Sequence, residues 1–164
     1  MRISLIVAMS KNRGIGLKGR LPWPHLPNDW ANFFKITEGC RMIMGRKSYD
    51  TPDRLSSKVG NFVITRQADF SMDEGFFRVG SLIEALDLCK GNEEIFVIGG
   101  EEIFRQVLPI ADCIHLTIVH GVFEADTFFP EFDETDFQLK SRQEFPADSL
   151  HEYAYDFLVY ERKR

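Results

Sequence analysis

The sequence predicts an α/β fold: a single domain, 1–164, with a mostly parallel twisted sheet, helices on both faces and an antiparallel hairpin at the C-terminal edge. Apolar runs of strand length alternate with segments of helical periodicity along most of the chain, a pattern typical of parallel α/β sheets. The last two segments, 137–145 and 153–161, both alternate like strands and therefore predict the hairpin. A length of 164 residues suits one domain with a substantial core.

The remaining elements follow this alternation. The predicted strands are 2–9, 41–44, 61–65, 76–79, 95–98 and 113–119, and the predicted helices are 28–38, 46–51, 81–89 and 101–108. Ser81 is the expected N-cap of its helix. The segment 10–27 is predicted to be a loop, and loops of this length in compact domains are often functional.

The segment 21–34 carries the first candidate for chemistry. Its three prolines fix φ and remove backbone donors, so a helix can begin just after Pro27, with Asn28 or Asp29 supplying the N-cap or a first-turn acceptor. Asp29 lies one turn before Phe33, which places a carboxylate at the edge of an aromatic face. The residues at helical spacing that form this face are Trp30, Phe33, Phe34 and Thr37. Such an acid is either an ordinary first-turn residue or a reactive group.

Composition and charge exclude several classes of function. The net charge is −5 and the cations are scattered, which does not support nucleic-acid binding. No apolar run reaches the length of a membrane helix, and the short run 3–9 lacks the features of a targeting segment. The cysteines, Cys40, Cys89 and Cys113, are odd in number and far apart, so reduced thiols in the cytoplasm are expected. No metal is expected, because the histidines show no ligand spacing and are interpreted as surface or strand residues: His25, His115, His120 and His151.

Two glycine motifs resemble nucleotide-binding signatures and fail on context. Residues 14–19 match G-x-G-x-x-G but run into the prolines instead of opening a helix, so they predict a mobile loop that closes over a ligand. Residues 45–48 lack the upstream glycine of a P-loop.

Two strand-to-helix junctions do predict an anion site. Residues 45–48 combine free N–H groups with two cations after one strand, and Gly99-Gly100 end another strand and allow a pyrophosphate to approach the backbone. Arg66 follows a third strand, and the carboxyl ends of parallel strands meet at one edge. A phosphorylated dinucleotide with a terminal monophosphate fits this edge.

The order of these motifs resembles the dihydrofolate reductase family over essentially the whole chain. The matching motifs are Ile-Val-Ala at 6–8, Gly-Ile-Gly at 14–16, Leu-Pro-Trp at 21–23, Asp29, Phe33, Met-Gly-Arg-Lys-Ser at 44–48, Thr-Arg at 65–66, Val-Ile-Gly-Gly at 97–100, Leu-Thr at 116–117 and Ala-Asp-Thr-Phe-Phe-Pro at 125–130. The resemblance implies NADPH-dependent reduction of 7,8-dihydrofolate to 5,6,7,8-tetrahydrofolate, by hydride transfer to C6 and protonation of N5, for one-carbon metabolism.

The resemblance also implies roles for individual residues. Asp29 is the acid of the pterin pocket, and its pKa should rise in an apolar setting. Thr117 would hold that carboxylate or the pterin amino group, Trp23 would position a water, Leu21 lies in the gating loop, and Asp126 secures that loop. The implied substrate residues are Ile6, Val7, Ala8, Asp29, Trp30, Phe33, Pro52, Arg54, Leu55, Lys58, Ile98 and Thr117. The implied cofactor residues are Ala8, Ile15, Gly16, Gly19, Gly45, Arg46, Lys47, Ser48, Thr65, Arg66, Gln67, Ile98, Gly99, Gly100, Glu101, Glu102, Ile103, Phe104 and Thr127, with a cis Gly99–Gly100 peptide.

The segment 54–58 departs from the family's pattern. It reads Arg-Leu-Ser-Ser-Lys where the family has Pro-Leu-Pro-Gly-Arg, so the arginine that clamps the substrate's glutamate carboxylate is missing. Lys58, with Arg54 as second choice, is expected to substitute without a bidentate fork, which predicts a raised KM for folate with little change in kcat.

Two alternatives remain open from the sequence. A pyrimidine reductase of riboflavin biosynthesis shares the fold and the cofactor, and the pair of Asp29 and Phe33 after Leu-Pro-Trp favours a pterin over its substrate. A non-catalytic NADPH-binding module would require Asp29 to be dispensable. The expected partner is a small-molecule substrate, dihydrofolate, with no nucleic acid and no membrane, and the expected state is a monomer.

Overall fold

The computed structural model describes residues 1–67 and 71–164. The strands in chain order are β1 (Arg2–Ser10), β2 (Gly14–Gly16), β3 (Arg41–Gly45), β4 (Asn61–Ile64), β5 (Phe76–Val79), β6 (Glu94–Val97), β7 (Cys113–Val119), β8 (Thr127–Phe128), β9 (Phe137–Phe145) and β10 (Tyr155–Arg162). The helices are α1 (Pro27–Thr37), α2 (Arg46–Tyr49), α3 (Leu82–Leu88) and α4 (Glu101–Val107), and a 3-10 turn covers Glu134–Asp136.

Eight strands form one sheet in the order β5-β4-β3-β6-β1-β7-β10-β9. The pairs from β5 to β7 are all parallel, whereas β10 runs antiparallel to both β7 and β9. The predicted mostly parallel sheet with an antiparallel C-terminal hairpin is therefore confirmed.

Successive side chains of β1 point to opposite faces of the sheet, and each face packs against different helices. Leu5 and Val7 pack in a buried cluster with residues of α3 and α4. Ile6, on the opposite face, packs with Phe33 of α1 and Tyr49 of α2. Because successive strand residues point to opposite faces, helices cover both sides of the sheet, as predicted.

A second, two-stranded sheet was not predicted. Within the segment 10–27, expected to be a loop, β2 pairs antiparallel with β8. A Cβ on Gly14 would lie 2.6 Å from the Cβ of Ala125, so the two segments meet where a side chain is missing. Strands this short and rich in glycine carry no period-2 signal, which is why the sequence pattern did not reveal them.

The start of α1 differs from its prediction. The helix begins at Pro27, whose φ suits the first helical position, and the N-cap is Leu26, which offers no side-chain cap to the first turn. Asn28 and Asp29 therefore lie inside the helix and are not its N-cap. Phe34, placed on the apolar stripe from its spacing, is 49% exposed. The stripe at this end is narrower than predicted, and Phe33 and Thr37 are its buried members.

Smaller expectations gave mixed results. The N-cap of α3 is confirmed, because Ser81 accepts a hydrogen bond from the backbone N–H of Glu84. The cysteines are free thiols: Cys40, Cys89 and Cys113. His151 is 5% exposed and lies between β9 and β10, so its interpretation as a surface or strand residue was wrong. In the two described ranges, no helix is long and apolar enough to cross a membrane.

Candidate active site

A cavity of about 1330 Å³ opens where β1, β3, β6 and β7 end at their carboxyl termini. This volume exceeds that of a typical single-ligand pocket, so the cavity can hold a substrate and a cofactor side by side. An acid among aromatic rings lies at one end, and glycines with cations lie at the other. We call these the acid end, around Asp29, and the glycine end, around Gly99.

Most of the residues predicted for the site line this cavity. They are Ile6, Val7, Ala8, Ile15, Gly16, Gly19, Leu21, Trp23, Asp29, Trp30, Phe33, Gly45, Arg46, Lys47, Ser48, Arg54, Leu55, Ile98, Gly99, Gly100, Glu101, Glu102, Ile103, Phe104, Thr117 and Thr127. Five other predicted site residues are not among the described residues that line the cavity: Pro52, Lys58, Thr65, Arg66 and Gln67.

Asp29 is held from a neighbouring strand. The hydroxyl of Thr117, on β7, donates a hydrogen bond of 2.7 Å to Oδ1 of Asp29. Burial raises the pKa of Asp29 above its ordinary value, while the Thr117 hydrogen bond and the charge of His25 act in the opposite direction. The carboxyl is therefore more easily protonated than a solvent-exposed aspartate.

Aromatic side chains surround the acid end. The ring of Trp30 meets His25 edge-on at 5.3 Å between centroids, and Phe33 closes the slot from the next turn of α1. Trp23 is 5% exposed, and its buried indole N–H finds no acceptor among the described residues. An unpaired buried donor at the edge of a polar pocket is the usual position of an ordered water.

The glycine end brings two strand ends together through the backbone. The N–H of Gly45 donates to the carbonyl of Gly99 at 2.7 Å, and the Gly99–Gly100 peptide is cis, as the resemblance implied. Gly99 has φ +128, and a Cβ there would lie 3.2 Å from Oγ of Ser48. A side chain at Gly99 would therefore be strained and crowded against Ser48, so this position of the cavity lining favours glycine.

The polar side chains near the glycine end are not equally available. Arg46 contacts Asp50 and Gln67, each at 2.9 Å, so the cation stands beside the segment that follows β4. Lys47 is exposed. Glu101 is engaged, because its Oε1 accepts the N–H of Phe128 at 2.7 Å, and this hydrogen bond holds the pKa of Glu101 below its usual range.

Asp126 fixes the loop that covers the cavity. Its carboxylate accepts the N–H of Lys18 at 2.8 Å, and its own N–H donates to the carbonyl of Gly16 at 2.9 Å. The two hydrogen bonds connect the end of β2 and the residues just after it to Asp126, which precedes β8. Leu21, next in this loop, lines the cavity and is 39% exposed.

Of the two cations proposed from the segment 54–58, only Arg54 faces the cavity. Its guanidinium lies 4.4 Å from the ring centroid of Tyr49 and 4.5 Å from that of Phe76. It also donates to the carbonyl of Tyr49 at 3.2 Å and forms an ion pair with Asp73. Lys58 is exposed and is not among the described residues that line the cavity. The structure thus brings Arg54, the second choice from the sequence, into the cavity lining, and not Lys58.

Sequence reasoning missed part of the lining. The missed residues are Arg20, His25, Asn32, Ile36, Asp50, Thr51, Asp53, Ile64, His115, Leu116, Ser141, Gln143, Phe157, Leu158 and Val159. His115 could have been found, because it lies two residues before Thr117 and so shares its face of β7. The residues of β9 and β10 depend on strand register, such as Thr117 opposite Phe157, which one sequence does not specify. No group of side chains in residues 1–67 and 71–164 is arranged to hold a metal ion.

Fold and site together define a class of protein first. An apolar slot with one firmly held acid, beside a glycine edge with cations on the carboxyl ends of parallel strands, defines a dinucleotide-dependent reductase. Comparison with known proteins then gives the family, because residues 2–162 match the model of the dihydrofolate reductase family. The chain belongs to the dihydrofolate reductase family.

Individual relatives agree with this assignment. A dihydrofolate reductase of Bacillus subtilis is 45% identical over 161 residues, which cover 98% of this chain and 95% of that protein. One from Haemophilus influenzae is 37% identical over 163 residues, 99% of this chain and 100% of that protein. A dihydrofolate reductase structure from Enterococcus faecalis, complexed with NADP(H) and RAB-propyl, matches with a TM-score of 0.89 and 29% identity over 99% of this chain and 97% of the other. The resemblance and the fold expected from the sequence are confirmed, and the chain is an oxidoreductase of this family.

Proposed function

We propose that Asp29 is the proton-handling residue of the family's reaction, the reduction of 7,8-dihydrofolate to tetrahydrofolate with NADPH. The observation that carries the proposal is the 2.7 Å hydrogen bond from Thr117 to Asp29 inside the cavity. A carboxyl that is buried, held by one neutral donor and set among aromatic rings suits a group that takes up a proton more readily than an exposed aspartate.

The glycine end fits NADPH. Gly45, Gly99 and Gly100 line the cavity, with Ser48 beside them, so a pyrophosphate can approach their backbone there. Arg46 and Lys47 supply positive charge for the 2′-phosphate, and Arg66 is exposed just after β4 at the same edge. When bound, NADPH supplies the hydride that C6 of dihydrofolate receives.

Asp29 performs two tasks in this proposal. Its carboxyl pairs with the amino group and N3 of the pterin ring, while Thr117 occupies Oδ1 and prevents the side chain from turning away. Because burial raises its pKa, Asp29 holds a proton at a pH where an exposed aspartate has lost it. The buried indole N–H of Trp23 holds the water through which this proton reaches N5.

Arg54 binds the glutamate carboxylate of the substrate in place of the family's missing arginine. Its guanidinium lies against Tyr49 and Phe76, so it is oriented before substrate arrives. Asp73, its present ion-pair partner, is 66% exposed and can yield to the substrate. Lys58 is not among the described residues that line the cavity, and it is not part of the proposed site.

The chain further acts as one cytoplasmic domain and as a monomer that binds neither nucleic acid nor membrane. The three free thiols suit a reducing compartment. Strand β9, at the edge of the sheet, carries exposed charges at Lys140, Arg142 and Glu144, and such charges oppose edge-to-edge pairing. The net charge of −5 supplies no attraction for phosphate backbones.

The loss of NADPH absorbance on adding dihydrofolate tests the proposal, with Asp29→Asn measured beside the wild type. Rapid turnover by the wild type that collapses in Asp29→Asn near neutral pH is the expected result. Equal turnover by both proteins would overturn the role of Asp29. NADPH binding without turnover of dihydrofolate would instead require the substrate of the riboflavin-pathway reductase to be tried.

A further inference from the structure

The first turn of α1 is capped from a distant part of the chain. The N-cap residue, Leu26, has no side chain that can accept the helix's free N–H groups. The N–H of Asn28 donates instead to Nε2 of His151 at 3.0 Å, across 123 positions of sequence. His151 lies in the connection between β9 and β10, so the C-terminal hairpin supplies the cap that the helix lacks.

The ring of His151 is fixed by a second hydrogen bond. Its Nδ1 lies 2.8 Å from Oδ1 of Asp148, and the same oxygen accepts the N–H of Leu150 at 2.9 Å. Because Nε2 accepts from Asn28, the proton of the neutral ring is on Nδ1, which donates to Asp148. The hydrogen bond from His151 holds the pKa of Asp148 below its ordinary value. The Asp148–His151 pair therefore presents an acceptor to α1 from a nearly buried position.

A second contact from the same hairpin holds the side chain of Asn28. Its amide donates to Oη of Tyr155, the first residue of β10, at 2.8 Å. Tyr155 is 2% exposed and stacks on Phe145 of β9, with ring centroids 5.1 Å apart and planes at 11°. The rings of His151 and Tyr155 also contact each other, at 5.1 Å. Asn28 is thus held through both its backbone and its side chain.

We propose that His151 and Tyr155 are positioning residues of the reduction, which set the carboxyl of Asp29 against Thr117 by holding Asn28. This inference rests on the proposed role of Asp29, the residue that follows Asn28. Thr117 lies on β7, which pairs directly with β10. Two paired strands therefore contact two consecutive residues of α1. Asn28 is bound by Tyr155 of β10 and by His151 of the loop before it, and Asp29 is bound by Thr117 of β7.

This arrangement differs from ordinary capping because it couples the start of α1 to the position of the C-terminal hairpin. An N-cap Ser or Asp would satisfy the first turn locally and would leave the helix free to shift against the sheet. A buried histidine on another element makes the cap depend on the position of the hairpin. Because small misplacements of a catalytic group lower the rate strongly, a fixed start of α1 is of direct use to Asp29.

Four variants test the proposal in the full-length protein. His151→Leu removes the acceptor, His151→Gln keeps an oxygen that can accept the N–H of Asn28, and Tyr155→Phe removes the side-chain contact. Tyr160→Phe is the matched control, because Tyr160 lies on the same strand and loses only a buried 3.0 Å hydrogen bond to Glu134. Turnover is followed against pH, with KM for each substrate, at a temperature where thermal melts show every variant folded.

His151→Leu is expected to lower kcat/KM for dihydrofolate by roughly tenfold with KM for NADPH unchanged. The pH profile should also move toward lower pH, because a frayed first turn hydrates Asp29 and weakens the burial that raises its pKa. His151→Gln should recover most of the rate, Tyr155→Phe should show a smaller shift in the same direction, and Tyr160→Phe should show none.

An unmoved pH profile in both His151→Leu and Tyr155→Phe would overturn the proposal, whatever their melting temperatures. If His151→Leu does not fold, Tyr155→Phe and His151→Gln carry the test: a wild-type profile in Tyr155→Phe overturns it. Asp29→Asn is assayed in parallel. Retained pH-dependent turnover in Asp29→Asn would remove the proposed role of Asp29 itself, whereas its collapse together with wild-type profiles in the other variants would remove only the positioning role.

Discussion

The two ends of the cavity are built on different principles. At the acid end, single side chains in fixed contacts make the site, as with Thr117 and Asp29 at 2.7 Å. At the glycine end, the backbone of Gly45 and Gly99 lines the cavity, and the side chains of Arg46 and Lys47 lie at the same end. The acid end is therefore sensitive to one functional group, whereas the glycine end is sensitive to added volume and tolerant of the loss of any one charge. The four predictions below test this contrast.

The largest effect is expected at the acid end, from Asp29→Asn. Removing one general acid typically lowers the rate by about 10²–10⁴-fold, and kcat should fall by this order. Wild-type kcat should decline as pH rises through the raised pKa of Asp29, and the variant should lack this decline. Stopped-flow turnover against pH measures both. Asp53→Asn, which changes the same charge on the cavity rim, is the control and should keep the wild-type profile.

The next largest effect tests the glycine end through added volume. Gly99→Ala places a Cβ at φ +128 and 3.2 Å from Oγ of Ser48. Backbone strain of this kind costs about 1–3 kcal/mol, and its relief moves the Gly99 backbone or Ser48 away from the position that suits the cofactor, so the Kd for NADPH should rise by roughly tenfold or more. Gly91→Ala has the same kind of strain, at φ +95, with open space around it and no part in the cavity. Equal loss of NADPH affinity in both variants, measured by fluorescence titration, would contradict the prediction.

A smaller effect concerns the substrate's glutamate. Arg54→Ala should raise KM for dihydrofolate by roughly tenfold with kcat nearly unchanged, because it removes binding that is equal in ground and transition states. Lys58→Ala should change neither value, since Lys58 does not line the cavity as described. A raised KM in Lys58→Ala alone would restore the choice first made from the sequence.

The smallest effect is on stability, and its sign follows from the pKa of Asp29. A carboxyl with a raised pKa binds protons more tightly in the folded state, so its contribution to stability falls as pH rises above its unfolded value. Asp29→Asn should therefore melt higher than the wild type at neutral pH, by a few degrees at about 2–4 °C per kcal/mol. The gain should vanish in acid, where the wild-type carboxyl is protonated in both states. Calorimetry at two pH values measures this, and a lower melting temperature at neutral pH would contradict it.

The elements of the large sheet were predictable because burial imposes clear patterns on the chain. The apolar runs of β1 and β7 and the Gly99-Gly100 pair at the end of a predicted strand are local signals of this kind. Asp29 was predictable for a related reason, since its spacing to Phe33 is a property of one helix.

The parts that were missed depend on long-range pairing. The contacts of Asn28 with His151 and Tyr155 need a hairpin placed against α1, and nothing in either segment encodes that placement. The sequence did not reveal that Arg54 and not Lys58 lines the cavity, because the direction of a side chain in an irregular turn has no periodicity. Strands β2 and β8 were missed because strands of two or three residues are too short to show a period-2 pattern.

The contacts that hold Asn28 and Asp29 join residues far apart in the sequence, and this separation affects when the site can form during synthesis of the protein. Asp29 meets Thr117 across 88 positions and Asn28 meets His151 across 123. Contacts of such separation form late, because a long loop must close before they stabilise anything. A nascent chain that ends before His151 has every residue of the glycine end and all of α1, but neither partner of Asn28. Enzymatic activity during translation should therefore appear abruptly, only after β10 has left the ribosome, and it can serve as a reporter of completed folding.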